Sequence, residues 1–190
     1  MTKVSKKPGN YLYPLPPSLI SCGPPEKPNI ITLAWVGHLC SEPPIVGVSI
    51  RPSRHSHGLV KASGQFVVNV PTAAMVRVVD ACGTVSGRDV DKFTTMGLTP
   101  TPAQIVRTVL IAECPVNIEC QTVQVVPLGT HDLFLGKVVA VQVDAGLLDE
   151  RGDLDLARAQ ALAYGGHAYW TVGPRLERQG FTAPRYPPAG

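Results

Sequence analysis

Ser49-Ile50-Arg51-Pro52-Ser53-Arg54-His55-Ser56-His57 joins a branched apolar run, Pro43 to Ile50, to a segment of helical character from about Ser53 to Lys61. A strand that feeds a helix N-terminus exposes unpaired backbone N–H groups and the positive end of the helix dipole. Arginines and hydroxyls beside such an end suit a phosphate group. The chain has neither GxGxxG nor GxxxxGK[ST], so a phosphate-bearing ligand must be held without the usual glycine-rich loops. This junction is the leading candidate, and it fixes a strand and a helix around which the rest of the chain is read.

Outward from it, short branched runs alternate with turn formers. Leu15–Cys22 reads as the first strand, and Gly23-Pro24-Pro25-Glu26-Lys27-Pro28 as a turn. Asn29–Val36 reads as the returning strand of a hairpin. After a break at Glu42-Pro43-Pro44, Ile45–Ile50 is a continuous apolar run, which predicts burial on both faces. Ser53 is placed to cap a helix that Ser63-Gly64 ends. Gln65–Val70 is a strand, Thr72 caps a second helix through Cys82, Gly83–Arg88 is a loop, and Asp91–Met96 is a short helix. Leu110–Val125 and Asp132–Val143 are long strands separated by a turn, the first with a bulge near Cys114-Pro115. The spacing of Leu154, Leu156, Ala159 and Leu162 predicts an amphipathic helix over Asp153–Ala163, and His167–Val172 is the final strand. About seven strands in antiparallel-style order, with helices inserted in the first half, predict a mainly β chain: a Greek-key antiparallel β-barrel with inserted helices.

Composition agrees. Nineteen prolines and eighteen glycines argue against a helical bundle. The net charge of +3 is too small to argue for nucleic acid, and the chain lacks paired aromatics on a broad basic face. Charged residues are 16% of the chain beside 44% hydrophobic ones, which suggests a covered surface, most simply by a second copy. No 18-residue apolar run is present, so no membrane span is expected. The lysine-bearing start, Met1 to Gly9, has no apolar segment after it and does not read as a secretory signal. Five cysteines, odd in number and without C-x₂-C spacing, argue against a disulfide framework or zinc ribbon and for a reduced, cytoplasmic setting.

Seven pieces in order then resemble a known family. They are Asn29 to Trp35; Cys40-Ser41-Glu42-Pro43-Pro44; Val48 to Ser56; Gly64 to Val70; Cys82-Gly83-Thr84-Val85-Ser86-Gly87-Arg88 with Asp91-Lys92-Phe93; Glu113 to Cys120; and His131 to Gly136. The chain is similar to the flavin reductase-like family with the FMN-binding split-barrel fold, most closely its flavoredoxin-like branch. The match covers about Tyr13 to Phe181. It implies one domain over residues 13–182, a tail over residues 1–12 and another over residues 183–190. It also implies FMN in preference to FAD, a homodimer with the flavin at the interface, and NAD(P)H or a protein as electron donor to a small-molecule or protein acceptor. The other class of function on this fold is a binding protein without turnover, a flavin store or a haem binder.

On that resemblance, Arg51, Arg54, Ser53, Ser56 and His55 are the expected phosphate partners, joined by Lys92 and by the Cys82, Gly83, Ser86 and Gly87 loop. Backbone groups around Thr32, Leu33, Ala34 and Trp35, hydroxyls of Thr32, Ser41 and Ser49, and the Asn29 and Ile50 positions are expected about the isoalloxazine. His131 is the candidate nearest the redox centre. Relatives carry Gly-Asp-His before Phe-x-Gly, and here Gly129-Thr130-His131 keeps the histidine and replaces the acid. No side chain need act as acid or base in hydride transfer, because the flavin carries the redox chemistry. Tyr164 to Trp170 either lines the partner's pocket or completes the barrel.

Overall fold

The computed structural model describes residues 1–182, so the expected tail over residues 183–190 lies outside the described residues. The chain runs through β1 (Ser18–Cys22), β2 (Asn29–Leu33), β3 (Val36–Ser41), β4 (Pro44–Ile50), α1 (His55–Ser63) and β5 (Gln65–Val70). After a 3₁₀ turn come α2 (Val76–Thr84), α3 (Lys92–Met96), β6 (Pro100–Pro102) and β7 (Val109–Ile111). The long pair β8 (Val116–Pro127) and β9 (Asp132–Val143) and the hairpin β10 (Leu162–Gly165) and β11 (Ala168–Thr171) complete it.

Seven strands form one antiparallel sheet in the order β2-β1-β5-β8-β9-β4-β3. Its outer members, β2 and β3, are consecutive in sequence and separated only by Ala34 and Trp35. Two residues can join opposite edges of a sheet only if the sheet curls until those edges nearly meet. The result is the expected split barrel, with Ala34-Trp35 at its seam. The β3–β4 ladder continues into the seam, where the Ser49 N–H donates to the Trp35 carbonyl at 3.1 Å.

Period-2 alternation sets the two faces of the sheet. Ile20, Ile31, Val46, Val48, Ile50, Phe66, Val68, Cys120 and Phe134 fill the barrel, and Val60 of α1 packs with them. Leu19 and Ile30 point outward and meet Val79 and Cys82 of α2, Phe93 of α3 and Ile111 of β7. β1 is therefore buried along its whole length. A buried polar cluster fastens the outer layer to the sheet. Asn69 Nδ2 donates to the Leu19 carbonyl and to Ser21 Oγ, and its Oδ1 accepts the Ile111 N–H and Asn117 Nδ2.

Five readings need correction. Val36–Ser41 is a strand, β3, paired with β4, although its side chains are partly or largely exposed and its sequence carries no clean apolar alternation. β4 sends only Val46, Val48 and Ile50 into the core, while Ile45 and Ser49 on its other face are half-buried. The helix N-caps are Arg54 for α1 and Met75 for α2, not Ser53 and Thr72, and no side chain caps either helix. The long strand predicted from Leu110 is two strands, broken around Cys114-Pro115, and the bulges fall at Glu119/Cys120 and Thr122/Gln124 of β8. Residues 153–161 form turns rather than a helix. Leu154 bridges to Leu148 and Ala161 to Thr72, and the Asp155 carboxylate accepts the N–H groups of Ala157 and Arg158. Such local side-chain bonds favour turns over helix.

Candidate functional site

The seam and the N-terminal end of α1 open onto two adjoining cavities. The larger, of about 350 Å³, lies along the seam and is lined by Thr32, Leu33, Ala34, Trp35, Ser49, Arg51, Arg54, Gly83 and His131. The smaller, of about 160 Å³, lies between the start of α1 and the loop leaving α2. Its walls are Ser53, Arg54, His55, Ser56, Cys82, Gly83, Ser86, Gly87 and Lys92, together with Arg88. Ile31, Arg54 and Gly83 border both cavities. A cavity of about 420 Å³ elsewhere, lined in part by Glu113, Gln142 and Arg158, touches none of the expected residues.

Three expected residues fall outside the cavities. Ser41 is exposed at the β3–β4 turn, on a surface with His38 and Cys40. Ile50 is fully buried in the barrel, since it sits on the inward face of β4. Asn29 is buried behind the smaller cavity, where its Nδ2 donates to Ser56 Oγ at 2.7 Å. A side chain on Gly87 would meet Asn29: a Cβ there would lie 1.8 Å from Asn29 Oδ1. Gly87→Ala is therefore expected to push Asn29 off Ser56 and lose about 1–3 kcal/mol of stability, measured by urea unfolding. Thr32 borders the larger cavity, but its hydroxyl proton is committed to the Val79 carbonyl of α2.

Arg51 also departs from expectation. It borders the larger cavity and not the smaller, because it lies at the strand end, beside the β9 turn. Its Nε donates to His131 Nε2 at 3.3 Å. That bond makes Nε2 the acceptor, so the imidazole proton sits on Nδ1, where Thr130 Oγ1 lies 3.0 Å away and accepts it. Threonine thus orients the ring without an acid. Burial, and then the Arg51 charge, hold the His131 pKa below its ordinary value, which favours the neutral imidazole. The Trp35 ring tilts against the His131 ring, with centroids 4.6 Å apart, and is 42% exposed, so it is a rim residue rather than core.

The smaller cavity is cationic. Arg54, Arg88, Lys92 and His55 line it, and no acidic residue does so among the described residues. Lys92 is buried, and its Nζ donates to the Ile30 and Cys82 carbonyls, both at 2.7 Å. Two of its three ammonium protons are thereby used. Burial lowers its pKa; the Cys82 and Cys22 thiols oppose that shift and Arg54 adds to it. Burial, then Arg88, Lys27 and Lys92, lower the pKa of His55. Cations crowded together without a counter-charge suit a dianion. Cys82 borders this cavity as a buried thiol whose pKa is raised by burial, with Lys92 opposing. Cys114 and Cys120, each pushed up to about 12 chiefly by burial, are likewise reduced and buried.

Arg88 was not among the expected residues. Its neighbours Ser86 and Gly87 pointed to it, but charge on a loop reads first as solvated surface. Tyr164 and His167 border the larger cavity of their own chain. His167 sits in the left-handed region, φ 62°, at the β10–β11 turn.

Residues 10–172 match the flavin reductase like domain. An uncharacterised protein of Archaeoglobus fulgidus is 37% identical over 167 residues, covering 88% of this chain and 94% of that protein. The flavoredoxin of Desulfovibrio vulgaris (Miyazaki F) superposes with a TM-score of 0.89 at 31% identity, covering 96% of this chain and all of that one. The FMN-binding protein of Thermus thermophilus, in a structure with bound 1-cyclohex-2-enone, superposes with a TM-score of 0.76 at 30% identity over 90% of this chain and 94% of that one.

Proposed function

The chain belongs to the flavin reductase-like domain family, and from that premise we propose that it binds FMN across its two cavities and passes electrons through it, from NAD(P)H or a protein donor to a small-molecule or protein acceptor. The observation that carries this reading is the pairing of the cavities. A seam cavity of about 350 Å³ with an aromatic rim adjoins a small cationic one, with which it shares Ile31, Arg54 and Gly83 as walls. FMN has the same division, a flat ring joined by a short chain to a dianionic phosphate. The larger volume lies within the usual range of small-molecule sites, roughly 300–1,000 Å³.

The residues fit the group. Ser53, His55, Ser56, Arg54, Lys92 and the Ser86-Gly87 backbone would hold the phosphate. Ala34 lies outside both flanking ladders, and Trp35 joins one only through its carbonyl, which accepts the Ser49 N–H, so the Ala34 groups and the Trp35 N–H are placed to meet the polar edge of the ring. Bound flavin supplies the transfer of a hydride or of single electrons. Arg51 and Arg54 supply fixed positive charge that favours a reduced, anionic ring. Neutral His131, its Nδ1–H held by Thr130, supports Arg51 in that position. Trp35 covers the open side against water.

The active form in this reading is a homodimer that shelters the flavin between two chains. Exposed Leu39, Val123, Leu128 and Val141, together with the low charge content, support a covered surface. The five free cysteines are consistent with a reducing compartment, and we place the protein in the cytoplasm. Among the described residues no helix is long and apolar enough to cross a membrane.

The test is the visible spectrum of the purified protein, followed by anaerobic addition of NADH or NADPH. Oxidised-flavin bands that bleach with a pyridine nucleotide support a reductase. Flavin bands that persist until a reduced carrier protein is added support a protein-fed carrier. A Soret band without flavin bands would contradict the reading.

A further inference from the structure

The geometry points to Arg88 as the residue that sets flavin preference: it closes the solvent side of the phosphate cavity, so that a flavin ending in a monophosphate is accepted and one extended by an adenylate is disfavoured. This inference rests on the flavin-binding reading above.

The smaller cavity has two facing walls, the loop before α1 and the loop after α2. Arg88 belongs to the second, and its Nη1 donates to the Ser53 carbonyl of the first at 3.3 Å. The side chain therefore spans the gap between the walls. The depth of the bridge follows from exposure. Ser56, Cys82 and Lys92 form a buried floor, whereas Ser53 and Arg88 are exposed. The bridge thus lies on the side facing solvent. A volume of about 160 Å³ suits a phosphate group with its hydrogen-bonding neighbours. An adenylate is several times larger than that phosphate and must leave through the opening Arg88 spans.

A guanidinium has five donors in a planar fork. One can stay on the Ser53 carbonyl while others meet a phosphate oxygen, so a monophosphate closes the cavity further. A pyrophosphate threaded outward forces the side chain away from Ser53 and breaks the bridge. Hydrogen bonds to charged groups are worth about 1.5–3 kcal/mol, or roughly ten- to hundredfold in affinity. Arg88 also adds a positive charge to a cavity that carries no acid of its own among the described residues.

The test is a set of equilibrium titrations of the unaltered chain and of Arg88→Ala with FMN, FAD and riboflavin, followed by flavin fluorescence. Arg88 is exposed, so the variant should fold. The expected result is a rise of about tenfold in the Kd for FMN, riboflavin held within about twofold, and a fall of about tenfold in the ratio of the FAD Kd to the FMN Kd. A weaker FMN complex with that ratio unchanged would show Arg88 to be only one more cation, and would overturn the inference. Equal losses for FMN and riboflavin would overturn it as well. An unaltered chain that binds none of the three flavins would overturn the proposed function itself, and this inference with it.

Discussion

Replacing Glu119 with alanine is expected to remove about 4 kcal/mol or more of stability, enough to unfold a marginal domain. Glu119 sits on β8 with its side chain wholly buried. Its carboxylate accepts the backbone N–H groups of Gln104 at 2.8 Å, Ile105 at 2.7 Å and Val106 at 3.0 Å, and Nε2 of Gln142 at 2.7 Å. The irregular segment of residues 103–108 has no strand of its own there, and this carboxylate takes the place of a ladder. Alanine would leave four donors without an acceptor, that of Val106 buried and the other three part-buried, at about 1–3 kcal/mol for the buried one and less for each of the others. Burial alone would raise the Glu119 pKa, but the four donors outweigh it and hold the carboxyl below its ordinary value. The sign of the pH effect follows. The ionised carboxylate stabilises the fold fully above the unfolded-state pKa, and that contribution is lost as pH falls through the lower folded value. Urea unfolding of the unaltered chain and of Glu119→Gln should therefore differ most near neutrality and converge in acid. A constant difference across that range would contradict the charged role.

Arg54→Ala is the second change of large expected effect. Arg54 borders both cavities and is the N-cap residue of α1, beside the orphan N–H groups of the helix. Losing a charge-assisted phosphate contact should weaken FMN binding roughly 10- to 100-fold, with a much smaller loss for riboflavin, which lacks the phosphate. Arg51→Ala should behave differently. Arg51 borders only the larger cavity and holds His131, so FMN and riboflavin should weaken together, by about tenfold. Titration of both variants with both ligands checks the division of labour. A phosphate-selective loss in Arg51→Ala and an unselective one in Arg54→Ala would reverse the assignment.

The junction from Ser49 to His57 was legible because two strong local signals meet there, a branched apolar run and a polar helix start. The division of its two arginines between cavities was not, since it depends on β9 lying beside β4 with Ile50 opposite Asp132. A nearer pairing, the hairpin of β3 with β4, explains the strand that the alternation of side chains does not mark. Val36–Ser41 is a strand because β4 offers it a ladder, not because its own side chains alternate. In residues 153–161 the apolar spacing is helical, yet aspartate side chains and bridges to Thr72 and Leu148 hold the backbone in turns. Asn29 and Thr32 stand where ligand groups were expected, but both have spent hydrogen bonds on neighbouring elements, Ser56 and Val79. Sequence placed these residues at the site; only the packing distinguishes those that face the cavity from those that build its wall.

The central claim is that the seam and the cationic cavity together form one FMN site. The most direct measurement is a calorimetric titration of the flavin-free protein with FMN, with riboflavin and inorganic phosphate as comparisons. The account predicts one FMN per chain, bound more tightly than riboflavin by about tenfold or more, because the ring and the phosphate are held by separate sets of residues. FMN binding no tighter than riboflavin, or no saturable FMN binding at all, would contradict it.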